Sequence, residues 1–132
     1  MPVSLHNLPS TIMDLAGLPR RADWVSGQSL LPLIDPSFGS FDQTKSPVTS
    51  VFGTLSVRPS TEGMQHLRYF RYPNGEEHVY DLVADPGETD NLAPDRAPMA
   101  ALRGELVRGA RDLGLDLTGA ENPADGINAM MA

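Results

Sequence analysis

The side chains with the widest chemical repertoire in this sequence are its three histidines, His6, His66 and His78. Histidine metal sites use pairs at short, fixed spacings, whereas these three are far apart and irregularly spaced. The chain has no cysteine, which excludes a thiolate ligand, a cysteine nucleophile and a disulfide within it. The pattern therefore predicts no metal ligand and no catalytic residue, and it favours surface or half-buried histidines.

Four carboxylates lie close together, at Asp81, Asp85, Glu88 and Asp90. Their spacing lacks the alternating acidic residues and the glycine of an EF-hand calcium loop. Asp85 precedes a Pro-Gly pair, and an Asp at that place in a turn accepts hydrogen bonds from the following backbone amides. A structural turn is the favoured interpretation, and a bound cation is the alternative.

Arg58, Arg68 and Arg71 could bind a sulfated or carboxylated sugar through paired hydrogen bonds. The favoured alternative is that they form ion pairs across a hairpin. The acidic partners available for such pairs are Glu76, Glu77 and Asp81.

Length and composition are those of one small globular domain. The 132 residues are 40% hydrophobic and 20% charged. A formal net charge of −7 argues against a nucleic-acid partner. No apolar run reaches the roughly 18 residues of a membrane span. We therefore expect neither nucleic-acid nor membrane binding, and the sequence does not indicate a cellular compartment.

The elements that must position these residues follow from periodicity and turn signals. Residues 4–17 carry a helical apolar stripe, with Asn7 as N-cap and Gly17 at the stop. Residues 18–47 are interrupted by Pro and Gly and are expected to form a long loop with an apolar patch at 29–34.

The second part of the chain has the pattern of a sheet followed by a helix. Val48–Val57 is rich in β-formers, with Gly53 as a possible bulge. Residues 66–72 and 77–83 flank an Asn-Gly hairpin signal. Residues 98–113 hold a helical stripe, and residues 118–132 are expected to be a flexible tail. The predicted fold is α+β, a small antiparallel sheet of three to four strands packed against the C-terminal helix.

Two stretches, in the same order and at a similar separation, resemble the sulfatase family of the alkaline-phosphatase-like superfamily. The first is VSLHNLPSTIMDLAG at 3–17 with SGQSLLPLI at 26–34, similar to that family's DxxPTxxxLAG and GxSLxPLL patterns. The second is LRYFRYPNGEEHVYDLVADPGETDNLA at 67–93, similar to its C-terminal RYxxYxxGxEELYDLxxDPxExxNLA signature. The resemblance covers about residues 3–113 and implies the C-terminal subdomain, residues 1–117.

Within that family, the segment from Thr49 to Arg58 looks most like the iduronate-sulfatase-like branch. Thr54 and Leu55 stand where that branch has Asn and His in a Gly-Asn-His-x-Val-Arg segment. The resemblance implies substrate contacts at Arg58, whose segment lies near the cleft in that branch, and at Thr54. His66 precedes a strand that would face the main domain, which makes it a third candidate.

The resemblance also implies what this chain lacks. Sulfatases convert the Cys or Ser of a Cys/Ser-x-Pro-Ser-Arg motif to formylglycine and hold a divalent cation, usually calcium, on a larger N-terminal domain. The nearest match here runs from Asn7 to Thr11, with Asn in place of the nucleophile. We expect no cofactor in this chain, and we expect the chain alone to be inactive.

Three hypotheses of function follow. The first is the C-terminal part of a sulfatase-like sulfuric-ester hydrolase that shapes the substrate cleft. Its partner would be the N-terminal catalytic domain, or a second copy bound through exposed apolar residues such as Leu8 and Ile12. The second is a standalone, non-catalytic binding module derived from a truncated sulfatase. The third is a fragment of a phosphodiesterase or phosphonate hydrolase of the same superfamily.

Overall fold

A computed structural model of the chain describes residues 2–19, 27–115 and 117. The predicted tail, 118–132, and residues 20–26 of the predicted loop lie outside the described residues. The predicted α+β class is confirmed by four strands and three α-helices in this part of the chain. The elements are α1 (Asn7–Leu15), α2 (Leu31–Ile34), a 3₁₀ turn (Pro36–Phe38), β1 (Val48–Val51), β2 (Thr54–Val57), β3 (Leu67–Arg71), β4 (Glu77–Asp81) and α3 (Met99–Asp112).

The described part of the chain divides into two compact units. The N-terminal unit comprises residues 3–19 and 27–44, and the sheet unit comprises residues 45–115 and 117 together with residue 2. No helix among the described residues is long and apolar enough to cross a bilayer.

The sheet unit is built on an antiparallel sheet in the order β1-β2-β3-β4. One row of paired residues crosses all four strands, from Val48 through Val57 and Tyr69 to Val79. All four are buried, because residues in register point to the same side of a pleated sheet. Residues alternate along β3, with Tyr69 on the core face and Phe70 on the other.

Helix α3 covers this buried face and packs on β1 and β2. Leu102, Leu106 and Ala110 recur at helical spacing and are all buried, as the sequence stripe predicted. Burying a side chain of the size of Leu contributes about 1.5–3 kcal/mol. The contact between helix and sheet therefore contributes to the stability of this unit.

The region expected as one strand from Val48 to Val57 is instead a hairpin, and the bulge expected at Gly53 is wrong. Phe52 and Gly53 form a two-residue turn with φ of 49° and 79°. Positive φ at both central residues matches the twist of the flanking strands. Phe at the first turn position, where Asn or Asp is usual, concealed the turn in the sequence. The second hairpin, at Asn74-Gly75, is confirmed, with Gly75 at φ 87°.

The N-terminal unit is organised around polar contacts rather than around its apolar stripe. The helix α1 has His6 as its N-cap, so the expected cap at Asn7 is wrong. The Asn7 amide instead accepts from the backbone of Ser4 at 2.9 Å and donates to the carbonyl of Gln28 at 2.8 Å. Thr11 is buried and accepts from the backbone N–H of Leu30. The apolar side chains Leu8 and Ile12, by contrast, are exposed.

Candidate functional site

Two of the three candidate substrate contacts, Arg58 and His66, lie at one end of the sheet. Arg58 follows β2 and His66 precedes β3, so the loop of residues 58–66 carries both. We call this segment the 58–66 loop. Arg58 Nη2 donates to the backbone carbonyl of Gln65 at 3.3 Å, next to His66. The loop conformation therefore brings the guanidinium of Arg58 to the backbone of the residue that precedes His66.

The guanidinium of Arg58 retains unused donor capacity. Its Nε is buried and, among the described residues, has no hydrogen-bond partner. A buried donor without a partner costs free energy, and Nε of Arg68 is in the same situation. Guanidinium donors form paired hydrogen bonds with oxyanions such as sulfate or carboxylate.

The imidazole of His66 is held less tightly than Arg58. Its side chain is 41% exposed, and its Nε2 lies 4.0 Å from Oδ2 of Asp81. The carboxylate of Asp81 accepts from the backbone N–H groups of Ala84 and Val83, at 3.0 and 2.9 Å. These backbone hydrogen bonds lower the pKa of Asp81, so the group facing His66 is an ionised carboxylate at neutral pH.

Thr54, the third candidate, lies at the opposite end of β2. It pairs with Val51 beside the Phe52-Gly53 turn. At about 3.3 Å per residue, extended chain from Thr54 to Arg58 spans roughly 13 Å. The structure therefore brings Arg58 and His66 together and places Thr54 on a different part of the surface.

The acidic cluster forms a turn, as favoured from the sequence. The carboxylate of Asp85 accepts from the backbone N–H groups of Thr89 and Asp90 at 2.6 and 2.8 Å. Backbone hydrogen bonds, that from Asp90 first, lower the pKa of Asp85. Its oxygens are used in closing the turn, and no group of three or more His, Asp or Glu side chains in the described part of the chain is arranged to hold a metal ion.

Arg68 forms an ion pair, but with a partner other than those expected. Its Nη1 donates to Oε1 of Glu88 at 2.9 Å, and its guanidinium lies 4.9 Å from the centre of the Phe70 ring. Glu77, one of the expected partners, is instead bound by Arg103 of α3. Arg103 is 26 residues further along the chain, which is why local pairing rules did not find this contact.

The sheet face opposite α3 carries an aromatic cluster that sequence reasoning did not single out. Phe70, Tyr72, His78 and Tyr80 contact one another with ring centres 4.9–6.2 Å apart. His78 Nδ1 lies 2.9 Å from the hydroxyl of Tyr80. Alternation along β3 and β4 was the available signal, since these residues share one face. The cluster explains His78 as a packed residue rather than a ligand.

Comparison with known proteins supports one statement about this fold. No family model matches the chain, and no curated protein sequence matches it. The fold is sulfatase-like. The chain is similar to the solved structure of BT4656 in complex with its substrate D-glucosamine-2-N,6-O-disulfate, with a TM-score of 0.65 and 17% identity. The match covers 88% of this chain and 25% of that one, so this chain spans about a quarter of the length of that structure. At this identity the likeness concerns the fold.

Proposed function

We propose that this chain is the C-terminal subdomain, residues 1–117, of a sulfatase-like sulfuric-ester hydrolase. The observation that carries the proposal is the structural match, in which nearly the whole chain corresponds to a quarter of a protein that binds a disulfated glucosamine. The two sulfatase-like stretches, in order, give it independent support from the sequence. The subdomain shapes the substrate cleft, and the nucleophile and metal ligands belong to the rest of the enzyme.

Within this function, Arg58 and His66 contact a negatively charged group of the substrate. The placement of the Arg58 guanidinium beside the residue before His66 and the exposed imidazole of His66 support this assignment. Thr54 contacts a different part of the substrate, because it lies at the far end of β2. The similarity of the segment from Thr49 to Arg58 to the iduronate-sulfatase-like branch favours a sulfated sugar as the substrate class.

The partner in this proposal is an N-terminal sulfatase catalytic domain, which supplies calcium and formylglycine. The exposed apolar side chains of the N-terminal unit are candidates for the docking face, and they would otherwise promote self-association. They include Leu8, Ile12, Leu15 and Ile34.

The test is an activity assay of the purified chain on an aryl sulfate, alone and mixed with a candidate N-terminal half. We expect no turnover by the chain alone and turnover by the mixture. Arg58→Ala and His66→Ala in the mixture should raise KM, whereas Glu76→Gln, at an exposed hairpin tip, should not. Turnover by the chain alone, or a mixture no more active than the N-terminal half, would overturn the proposal. An aryl phosphate in parallel tests the phosphodiesterase or phosphonate hydrolase alternative.

The second candidate function is a standalone binding module. The continuous core of the sheet unit, from Val48 to Leu106, favours it because such a unit is able to fold without a partner. If the chain is a standalone module, it should be a monodisperse monomer that unfolds cooperatively and does not bind a hydrophobic dye. A subdomain separated from its partner predicts dye binding and self-association. Sedimentation and dye fluorescence on the same sample separate the two.

A further inference from the structure

One charged side chain of the sheet unit is almost completely removed from solvent. Glu105 of α3 is 1% exposed. Carboxylates are seldom fully buried unless they are paired and hydrogen-bonded. Glu105 meets this condition, because its two oxygens accept hydrogen bonds from the hydroxyls of Ser46 and Thr61 and from the guanidinium of Arg108.

Two of these donors come from segments far from α3 in the sequence. Ser46 lies just before β1, 59 residues from Glu105, and Thr61 lies within the 58–66 loop. The Ser46 hydroxyl also accepts from the backbone N–H of Ser60 at 2.9 Å. Glu105 is thus bound to the 58–66 loop directly through Thr61 and indirectly through Ser46.

The contacts continue within the loop to the candidate substrate residues. The side chain of Gln65 donates to the carbonyl of Ser60 at 3.1 Å. The carbonyl of Gln65 in turn accepts from Arg58 Nη2. His66 is the next residue. A continuous series of hydrogen bonds therefore runs from the buried carboxylate to both ends of the 58–66 loop.

Ionised Glu105 suits this network better than a neutral side chain would. Burial raises the pKa of Glu105, but the hydrogen bonds from Ser46 and Thr61, with the charge of Arg108, outweigh burial and leave that pKa below its ordinary value. A glutamine at this position is neutral: its one oxygen could still accept from Thr61 and Arg108, and its NH₂ group would face the Ser46 hydroxyl, which would have to become the acceptor. The hydrogen bonds from Thr61 and Arg108 would then lose the strength that a charged acceptor gives them.

We propose that Glu105 is the positioning residue of the 58–66 loop, holding Arg58 and His66 in the arrangement that receives a sulfate group. Glu105 does not touch the substrate. The role of the loop in receiving sulfate rests on the proposed function. The effect of Glu105 on the conformation of the loop does not, because it can be measured without substrate.

The test compares the wild-type chain with Glu105→Gln and with Glu76→Gln as a control of equal charge change. Hydrogen exchange of the backbone amides reports on the loop, and the NMR shift of His66 on adding inorganic sulfate reports on the site. We expect Glu105→Gln to speed exchange at residues 60–66 by about tenfold, because hydrogen bonds to a charged acceptor become weaker bonds to a neutral one. Exchange in β3 should stay unchanged, and the sulfate response of His66 should fall. Glu76→Gln should resemble the wild type.

The two measurements test the positioning role of Glu105 and the proposed function separately. Unchanged exchange at 60–66 in a folded Glu105→Gln chain overturns the positioning role. Faster exchange with no sulfate response in the wild type retains loop positioning and counts against the proposed function. Should Glu105→Gln fail to fold, Thr61→Val removes a single donor, and Thr61→Ser restores the hydroxyl. The proposal requires the Val variant to loosen the loop and the Ser variant to rescue it.

Discussion

The hydroxyl of Tyr69 on β3 donates a hydrogen bond to the carboxylate of Glu77 on β4. Arg103 of α3 donates to the same carboxylate, with its Nε 2.8 Å from Oε1. Tyr69 is fully buried, whereas Arg103 is half-exposed, so Glu77 links the interior of the sheet to the surface of the helix. This three-residue contact links α3 to β3 and β4.

Tyr69→Phe tests the contribution of this contact to stability. The ring stays in the core and only the hydroxyl is lost, so the expected loss in the free energy of unfolding is about 1.5–3 kcal/mol, the range for a hydrogen bond to a charged group. Urea denaturation measures it. Tyr72→Phe, on the opposite sheet face, is the control and should change stability by less than about 0.5 kcal/mol. Equal effects of the two substitutions would contradict the assigned role of Glu77.

Tyr69 also predicts how stability changes at alkaline pH. Burial, then the hydrogen bond to Glu77, raises the pKa of Tyr69 above its ordinary value of 10.0. The folded state therefore retains this proton where the unfolded state releases it, and the stabilisation present below pH 10 declines as the pH rises further. Tyr69→Phe should reduce the slope of stability against pH above 10. An unchanged slope would show that Tyr69 is not the group responsible.

Because of the carboxylates Glu77 and Glu105, we expect stability to fall as the pH is lowered into the acid range. Both have a pKa below the ordinary value of 4.5: Glu77 mainly because of the hydrogen bond from Arg103, and Glu105 because its hydrogen bonds outweigh burial. Their contribution is complete above about pH 4.5 and is lost as the pH falls through their folded-state pKa values. Thermal unfolding between pH 6 and pH 3 should show this loss. Glu105→Gln should unfold with a shallower acid dependence, and Glu76→Gln should retain that of the wild type.

Alanine substitutions at two glycines of α3 should change the stability of the chain in opposite directions. A Cβ at Gly109 would lie 2.5 Å from the carbonyl oxygen of Ser46 and 2.6 Å from Cγ2 of Val48. Gly109→Ala should therefore destabilise by about 1–3 kcal/mol, the usual cost of overpacking. A Cβ at Gly104 would have 3.9 Å to its nearest neighbour, Nη1 of Arg108, so Gly104→Ala should stabilise by up to about 1 kcal/mol through helix propensity. Urea midpoints that shift in the same direction would show that α3 approaches β1 less closely than described.

The sequence predicted the strands at 66–72 and 77–83 and the helix stripe because hairpin signals and periodicity are local. The alternation around Tyr69 and the spacing of Leu102 and Leu106 needed no knowledge of distant residues. Glu105 had no such signal: a glutamate in an amphipathic helix usually faces solvent, and its burial follows from Ser46 approaching at Gly109. Pairings of that kind depend on tertiary structure.

For the candidate site, the sequence indicated which residues to consider but not how far apart they lie. The sequence resemblance singled out Arg58, His66 and Thr54, but their separation depends on where β2 begins and ends. With one strand expected from Val48 to Val57, nothing indicated that Thr54 lies beside a turn. The hairpin explains why Thr54 is distant from the other two, and their roles in binding remain predictions for the activity assay.

The turn residue that hid this hairpin provides the last prediction. Phe52 is 99% exposed and has φ of 49°, so its ring contributes almost no burial while its backbone occupies a region that costs most residues about 1–2 kcal/mol. Asn adopts this conformation readily and is favoured before Gly in such turns, so Phe52→Asn should raise the free energy of unfolding by about 0.5–1 kcal/mol. Phe52→Ala removes the ring but keeps the backbone cost, and its stability in urea should stay close to that of the wild type. A gain of equal size in both variants would mean that loss of the exposed ring, rather than relief of the turn, stabilises the chain.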